Sequence, residues 1–318
     1  MSAESSSPSP VHRPVLLDDV VSWLAPRDGA VLVDGTVGAG GHAVALAARV
    51  EPSGRVIGLD RDPEMLALAE RMTRDLPVTL VHAVYSELDV VLADLGIDAV
   101  DGILLDLGLS SDQLGWSNRG FSFAGDGPLD MRFDPGSGGP TAADLVNSWG
   151  AEDLARLFFE YGEERHSRRV ARRIVEARRV EPITTTRRLA ELVRRSIPGK
   201  WRAIDPATRV FQALRIGVNR ELEHLEVTLE KLPDLLKPGG RAAIISFHSL
   251  EDRRVKVAFR EDPRLIVLTR KPVVASDEEV ADNPRARSAK LRVAERCPNL
   301  VGPPTPPNLR PRRRVSER

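Results

Sequence analysis

Apolar runs that end in an acid, alternating with helical patterns, constrain this chain more than any other feature. Ala30–Asp34 (AVLVD), Arg55–Asp60 (RVIGLD), Val78–His82 and Gly102–Leu107 (GILLDL) are near-continuous apolar runs of strand length. Helical stretches separate them: His42–Val50, Asp62–Leu76 and Ser86–Leu95. In Asp62–Leu76, Pro63 suits the first turn and Asp62 the N-cap, while Met65, Leu66, Leu68 and Ala69 mark one apolar side. Such strands alternating with helices predict a parallel sheet covered on both faces. Arg241–Phe247, Arg264–Thr269 and Lys290–Ala294 bring the count to seven. The predicted fold class is α/β: doubly wound, seven-stranded and Rossmann-like.

The alternation breaks once. After a polar, Gly-rich stretch from Ser110, helical patterns run over Ala151–Tyr161, Ser167–Arg179, Thr185–Ser196 and Pro206–Val218. A connecting helix at Glu221–Leu236 then leads to Lys237-Pro238-Gly239-Gly240, read as a helix stop and turn. The expected layout is therefore a discontinuous domain over 11–109 and 220–299, interrupted by an all-α insert at 110–219. The Ser/Pro-rich start (1–10) and Pro/Arg-rich end (300–318) are expected to be disordered tails.

Formal net charge is zero, with 46 basic and 46 acidic side chains, but the charges are segregated. Residues 165–215 hold 15 basic and 4 acidic side chains, a local charge of +11, whereas residues 1–164 stand at −17. Within Ser167–Arg179, Val170, Ala171, Ile174 and Val175 form one stripe and Arg168, Arg169, Arg172 and Arg173 fill much of the rest. Such a block is either a site for a polyanion or an ordinary solvated helix face. With 42% hydrophobic residues the chain can build a real core, and a single cysteine, Cys297, excludes a disulfide framework and a Cys-clustered zinc site. No run approaches the ~18 apolar residues of a membrane span, so a soluble, cytoplasmic protein is expected. No His or acid spacing predicts a metal site.

The first strand runs into Gly35-Thr36-Val37-Gly38-Ala39-Gly40-Gly41-His42. Glycines at a strand-to-helix turn let the backbone approach a ligand closely, and the helix N-terminus offers unpaired N–H groups. Dinucleotide folds use such a loop for a pyrophosphate. The spacing here, Asp34 followed by Gly38 and Gly40, fits an S-adenosylmethionine (SAM) site better, because a strand-end carboxylate suits a cationic ligand and sits poorly beside a pyrophosphate. Asp60 stands where a carboxylate accepts from ribose hydroxyls. His82 and Tyr85 follow the third strand, where an aromatic ring either stacks on adenine or simply packs. Asp106 ends the fourth strand, and Gln113 lies within reach of the same pocket.

Residues and motifs then bring in a known family. The chain resembles the bacterial MraW/RsmH methyltransferases in His12–Leu17, DGTVGAGGH (34–42), LDRDP (59–63), DGILLDLGLSSDQL (101–114), RGFSF (119–123) and GPLDMR (127–132). The match continues through YGEER (161–165), PATRVFQALRIGVNREL (206–222), PGGRAAIISFHSLEDRRVK (238–256) and NPRARSAKLRVAER (283–296). The resemblance implies methyl transfer from SAM to the exocyclic N4 of a cytidine in 16S ribosomal RNA, near the decoding region of the small subunit. It implies SAM contacts at Gly40, Gly41, His42, Asp60, Tyr85, Asp106 and Gln113, and an insert that recognises RNA. Tyr85 stands where relatives often carry Phe.

An exocyclic amine is a poor nucleophile, so the site must hold it in line with the methyl and accept hydrogen bonds from it. Many amino-methyltransferases use an acid or amide followed by Pro-Pro-aromatic; this chain has Asp106-Leu107-Gly108-Leu109. Asp106, Asp130 and His248 are the catalytic candidates, with two alternatives standing beside them: an ion pair of Asp130 with Arg132, and an ordinary strand-end hydrogen bond for His248. Arg168, Arg169, Arg172 and Arg173, with Arg285 and Arg287, are candidates for phosphate contact. With only 8 Phe, 4 Trp and 2 Tyr, extensive base stacking is not expected, which favours a shaped RNA or assembled particle. A nicotinamide oxidoreductase, a small-molecule methyltransferase and a non-catalytic RNA-binding factor are the competing readings. Monomer and homodimer are equally open.

Overall fold

A computed structural model describes residues 14–197 and 205–298, so the two tails and His12-Arg13 lie outside the described residues. The chain opens with α1 (Leu17–Leu24), β1 (Val31–Asp34), α2 (Gly41–Val50), β2 (Arg55–Asp60), α3 (Pro63–Thr73), β3 (Val78–His82), α4 (Leu88–Asp94) and β4 (Val100–Asp106). Seven helices follow: α5 (Ser111–Gly115), α6 (Ala142–Ser148), α7 (Ala151–Glu160), α8 (Ser167–Arg178), α9 (Thr186–Ser196), α10 (Ala207–Asn219) and α11 (Glu221–Leu235). The sheet then resumes with β5 (Leu236–Ser246), α12 (Ser249–Glu261), β6 (Leu265–Val267), α13 (Asp277–Asp282) and β7 (Lys290–Arg296).

The seven strands form one sheet in the order β3-β2-β1-β4-β5-β7-β6. Strands β1 to β5 run parallel, while β7 is antiparallel to both β5 and β6. The sheet is therefore mixed, not wholly parallel: β7 lies between β5 and β6 and runs against both. One face is covered by α1 and α2 through Val20, Leu24, Leu46 and Val50. The other is covered by α4, α11 and α12 through Leu92, Leu229, Leu232 and Phe259. Ile103, Leu104 and Leu105 of β4 are fully buried between these layers, as expected of a central strand covered on both faces.

Lys237-Pro238-Gly239-Gly240 is not a turn before the strand but a bulge within it. Leu236 already faces Val100, and Arg241 faces the next paired residue, Gly102. Gly239 takes a φ of +79° there, and Lys237 Nζ reaches Asp101 Oδ2 at 2.7 Å. Proline's missing N–H and glycine's free φ let the extra residues loop out without losing the register on either side.

Between Ser110 and Asn219 the helices surround a separate apolar cluster that includes Phe121, Met131, Phe158, Ile174 and Leu214. Helix α8 buries Val170, Ala171 and Ile174 against it and leaves Arg168, Arg169, Arg172 and Arg173 exposed. Asn219 ties this unit to the sheet unit. Its buried amide donates to the Met131 carbonyl (2.7 Å) and accepts from Phe133 N–H (2.9 Å), while Arg61 donates to its backbone carbonyl at 2.8 Å.

Candidate active site

The order of the strands changes direction between β1 and β4, and there the loops at their carboxyl ends part to leave a crevice, the usual ligand position in such sheets. Register decides which acids reach it. Asp34 pairs with Gly58 on one side and Leu104 on the other, so Asp60 and Asp106 each stand two residues further along. At about 3.3 Å per residue, Asp34 is set back by about 6–7 Å. It is fully buried, while Asp60 and Asp106 line a cleft of about 980 Å³.

The glycine loop forms one wall. Gly38 and Gly40 take φ of +53° and +94°, conformations that a side chain would strain. Gly38 N–H donates to Asp60 Oδ2 at 2.9 Å, and Asp62 N–H donates to Asp60 Oδ1 at 2.9 Å. Asp106 N–H donates to Thr36 Oγ1 at 2.6 Å, joining the loop to β4. Burial raises the Asp60 carboxyl to about 6, against the pull of these backbone donors, so it is largely ionised at neutral pH. Burial raises Asp34 more, to about 8, with Asp106 and Asp60 adding to the shift against one N–H from Thr36. Asp34 Oδ2 has no hydrogen-bond partner.

Tyr85 also lines the cleft, with its hydroxyl 3.4 Å from the Glu221 carbonyl and its ring edge-on to His224. Burial, with Glu221 and Glu251, holds its phenol well above the ordinary value, so it stays neutral. Gln113 lines the cleft, but its amide is engaged from both ends. Its Nε2 donates to Asp62 Oδ2 (2.8 Å) and its Oε1 accepts from Ser110 N–H (3.0 Å) in a capping box that opens α5. Asp62 is itself buried and takes Arg119 Nη2 at 2.9 Å while capping α3 through Glu64 N–H. Gly38, Asp60, Asp62 and Gln113 are thus joined in one hydrogen-bonded chain along this side of the cleft.

The sequence profile of the MraW methylase family matches residues 9–297. The chain belongs to this family. It is 51% identical over 307 residues to the ribosomal RNA small subunit methyltransferase H of Syntrophotalea carbinolica, covering 90% of this chain and 98% of the relative. Its counterpart of the same name in Kosmotoga olearia is 52% identical over 293 residues, covering 90% and 97%. That of Magnetococcus marinus is 49% identical over 308 residues, covering 90% and 98%.

Of the sequence candidates in this family member, Gly38, Gly41, His42, Asp60, Tyr85, Asp106 and Gln113 line the cleft together. Asp34 and Gly40 are not on that lining; Asp34 lies behind it. Asp130 is not on it either. It holds Arg132 in a two-pronged pair (2.8 and 2.7 Å), the alternative that the sequence left open, and Arg132 holds its carboxyl below the usual range against the effect of burial. His248 also stays off the lining, with Nε2 3.1 Å from Glu251 Oε1. Arg168, Arg169, Arg172 and Arg173 lie on α8, apart from the cleft lining.

The lining also includes groups that sequence reasoning missed: Glu221, Glu251, Arg61, Met65 and Phe133. Glu251 had a readable signal, standing three residues after His248 at the start of a helix. It is buried, and despite that burial its carboxyl is held below the usual range by His248 and Arg215. Glu221 clamps Arg215 with both oxygens, at 2.8 and 2.9 Å. Nothing local in the sequence distinguishes it from the other glutamates of α11. Arg285, read as a phosphate contact, lines the cleft, stacks over Phe247 at 5.7 Å and donates to Ser111 Oγ at 3.3 Å.

Proposed function

We propose that this chain transfers a methyl group from SAM to the exocyclic N4 of a cytidine in 16S ribosomal RNA of the small ribosomal subunit, in the cytoplasm. The observation that carries the reading is the cleft itself, where a positive-φ glycine loop and the ends of the two strands that flank β1 bring Asp60 and Asp106 to one lining. The residues fit SAM. Gly41 leaves a backbone wall that a Cβ would close, since one there would meet Pro14 Cγ at 2.4 Å. Asp60 keeps lone pairs for a ribose diol beyond the two N–H groups it accepts, and the surrounding acids suit a cationic ligand. Bound SAM supplies an electrophilic methyl on a sulfonium.

The chain's own part is to hold and orient. The residue contacts implied by the family are Gly40, Gly41, His42, Asp60, Tyr85, Asp106 and Gln113, with Asp34 and Gly38 supporting the loop. Asp106 is the acid best placed to accept from the incoming amine, because it sits on the cleft at the end of β4. Asp130 and His248 act indirectly, the first on the conformation of the 130–132 turn and the second on Glu251. A target base must leave its stack to enter such a cleft, which costs least in a loop or single strand. We assign the unit at 110–219 to RNA recognition, with 11–109 and 220–299 as the catalytic domain. The arginines of α8 support this assignment because all four stand exposed on one helix, with Arg173 paired to Glu176 at 3.2 Å on the surface.

The test is methyl transfer from labelled SAM to small ribosomal subunits from a strain lacking this gene, followed by nucleoside analysis. Labelled N4-methylcytidine is expected, falling by about two orders of magnitude with Asp106→Ala, the scale of removing one electrostatic interaction with a transition state. Wild-type protein that binds SAM but labels no cytidine would overturn the acceptor assignment.

A further inference from the structure

The lining of the cleft divides by strand. The ends of β1 and β2 supply Thr36, Gly38, Asp60 and Arg61, whereas the end of β4 and the helix after β5 supply Asp106, Gly108, Ser110 and Glu251. Arg285 joins the second group through the topology of the sheet. β5 runs with β4, pairing Ile245 with Asp106, and β7 runs against β5, pairing Lys290 with Ser246. The chain therefore enters β7 at the edge where β4 and β5 end. Arg285 stands just before that entry, on the side of β4 away from the glycine loop.

The turn that carries it is fixed in place. Arg285 N–H donates to Asn283 Oδ1 at 3.3 Å, Ala286 N–H donates to the Asn283 carbonyl at 2.9 Å, and Ala286 and Ala289 are buried. The guanidinium lies over the Phe247 ring, 5.7 Å from its centroid, and donates to Ser111 Oγ at 3.3 Å. Phe247 also backs the loop after β4: Gly108 takes a φ of +94°, and a Cβ there would meet Phe247 Cδ2 at 3.4 Å. One ring thus supports both Arg285 and the loop that follows Asp106. Burial lowers the guanidinium from its ordinary value, with Asp106 opposing. Arg287, by contrast, is exposed and off the lining.

A guanidinium carries five N–H donors in a rigid plane and no acceptor, so it can hold a structural partner and a ligand oxygen together. Along its pairing edge cytosine presents an amine, then the N3 acceptor, then the O2 acceptor. Adenine presents an amine and a ring nitrogen, then a C–H. The oxygen separates the two amino bases, and a group that only donates can read it. A phosphate is met by the same donors, but on the outside of a nucleotide whose base has entered a cleft. Arg285 lines the cleft.

We propose that Arg285 donates to O2 of the target cytosine, fixing the base in the acceptor half of the cleft. The proposal rests on the reading of this cleft as a cytidine N4-methylation site. It assigns to the base an arginine that the sequence suggested for phosphate.

Arg285→Met and Arg285→Lys are compared with wild type on small ribosomal subunits from a strain lacking this gene. The readouts are single-turnover methyl transfer at saturating enzyme, subunit affinity across salt, and calorimetric titration with S-adenosylhomocysteine. Arg285→Met should lower the single-turnover rate on the order of 10- to 100-fold, the scale of a lost two-pronged base contact. S-adenosylhomocysteine affinity and the salt slope should stay as in wild type, and Arg285→Lys, a point charge in place of a fork, should recover only part of the rate. A phosphate contact gives another pattern, which overturns the proposal: Arg285→Met weakens subunit binding, its slope of log K on log salt becomes shallower by about one, and Arg285→Lys restores both. Weaker S-adenosylhomocysteine binding places Arg285 on the methyl donor and overturns it as well. Should Arg285→Met fail to fold, a folded Arg285→Lys with the wild-type rate overturns it alone. Wild-type reactions that yield no N4-methylcytidine overturn the acceptor reading instead.

Discussion

Asp34 is an acid placed where it is hard to ionise. Fully buried, with Asp60 and Asp106 raising its carboxyl further and one Thr36 N–H opposing, it titrates near 8 instead of in the ordinary carboxylate range. Its folded form therefore binds a proton that the unfolded chain has released, between about pH 4 and pH 8. Stability must fall as pH rises through that window, because the native state holds more protons than the unfolded state. Asp60, raised to about 6, adds to the same slope over a narrower range. His42, lowered to about 4, acts at the other end: its contribution is lost as pH falls from 6.5 towards 4. Asp34→Asn, which keeps the shape without the charge, should raise the melting temperature at pH 8 more than at pH 5. At roughly 2–4 °C per kcal/mol for a chain of this class, the difference is measurable by thermal melts across pH.

Helices α3 and α5 meet the 116–133 segment through one buried pair. Arg119 is 4% exposed and Asp62 is fully buried, with Nη2 to Oδ2 at 2.9 Å. The same guanidinium donates to the Arg132 and Phe133 carbonyls at 3.1 and 2.8 Å, and Asp62 also accepts from Gln113. Arg119→Met strands a buried carboxylate and should cost about 3–5 kcal/mol, a fall in melting temperature on the order of 10 °C. Adding Asp62→Asn should return part of that loss, which a double-mutant cycle reads directly. Because Gln113 hangs from Asp62, affinity for SAM should drop in the single variant even at temperatures where it is folded.

At the scale of the whole molecule, the proposed division of work between the acidic sheet unit and the basic helical unit has a direct test. Charge reversal of Arg168, Arg169, Arg172 and Arg173 to Glu should leave SAM affinity as in wild type while weakening binding to ribosomal RNA. The dependence of log K on log salt should become shallower by on the order of one for each phosphate that the variant no longer neutralises. An unchanged salt slope would remove α8 from the RNA-binding surface.

Sheet strands, covering helices and the glycine loop were legible in the sequence because each announces itself locally: apolar runs of strand length, an amphipathic stripe, a turn that only glycine tolerates. The acids at the strand ends were legible for the same reason. What the chain alone left undecided was everything set by register and by packing across the molecule. Asp34, Asp60 and Asp106 look equivalent as strand-end acids, yet a two-residue offset in pairing buries the first and exposes the others to the cleft. Asp130 and His248 sit in promising motifs, and only folding shows them turned to Arg132 and Glu251. Glu221 reaches the cleft from a helix 136 positions beyond Tyr85, whose hydroxyl meets its carbonyl. Local pattern determines which elements form; which side chains face one another depends on how those elements pack, and that information is spread over the whole chain.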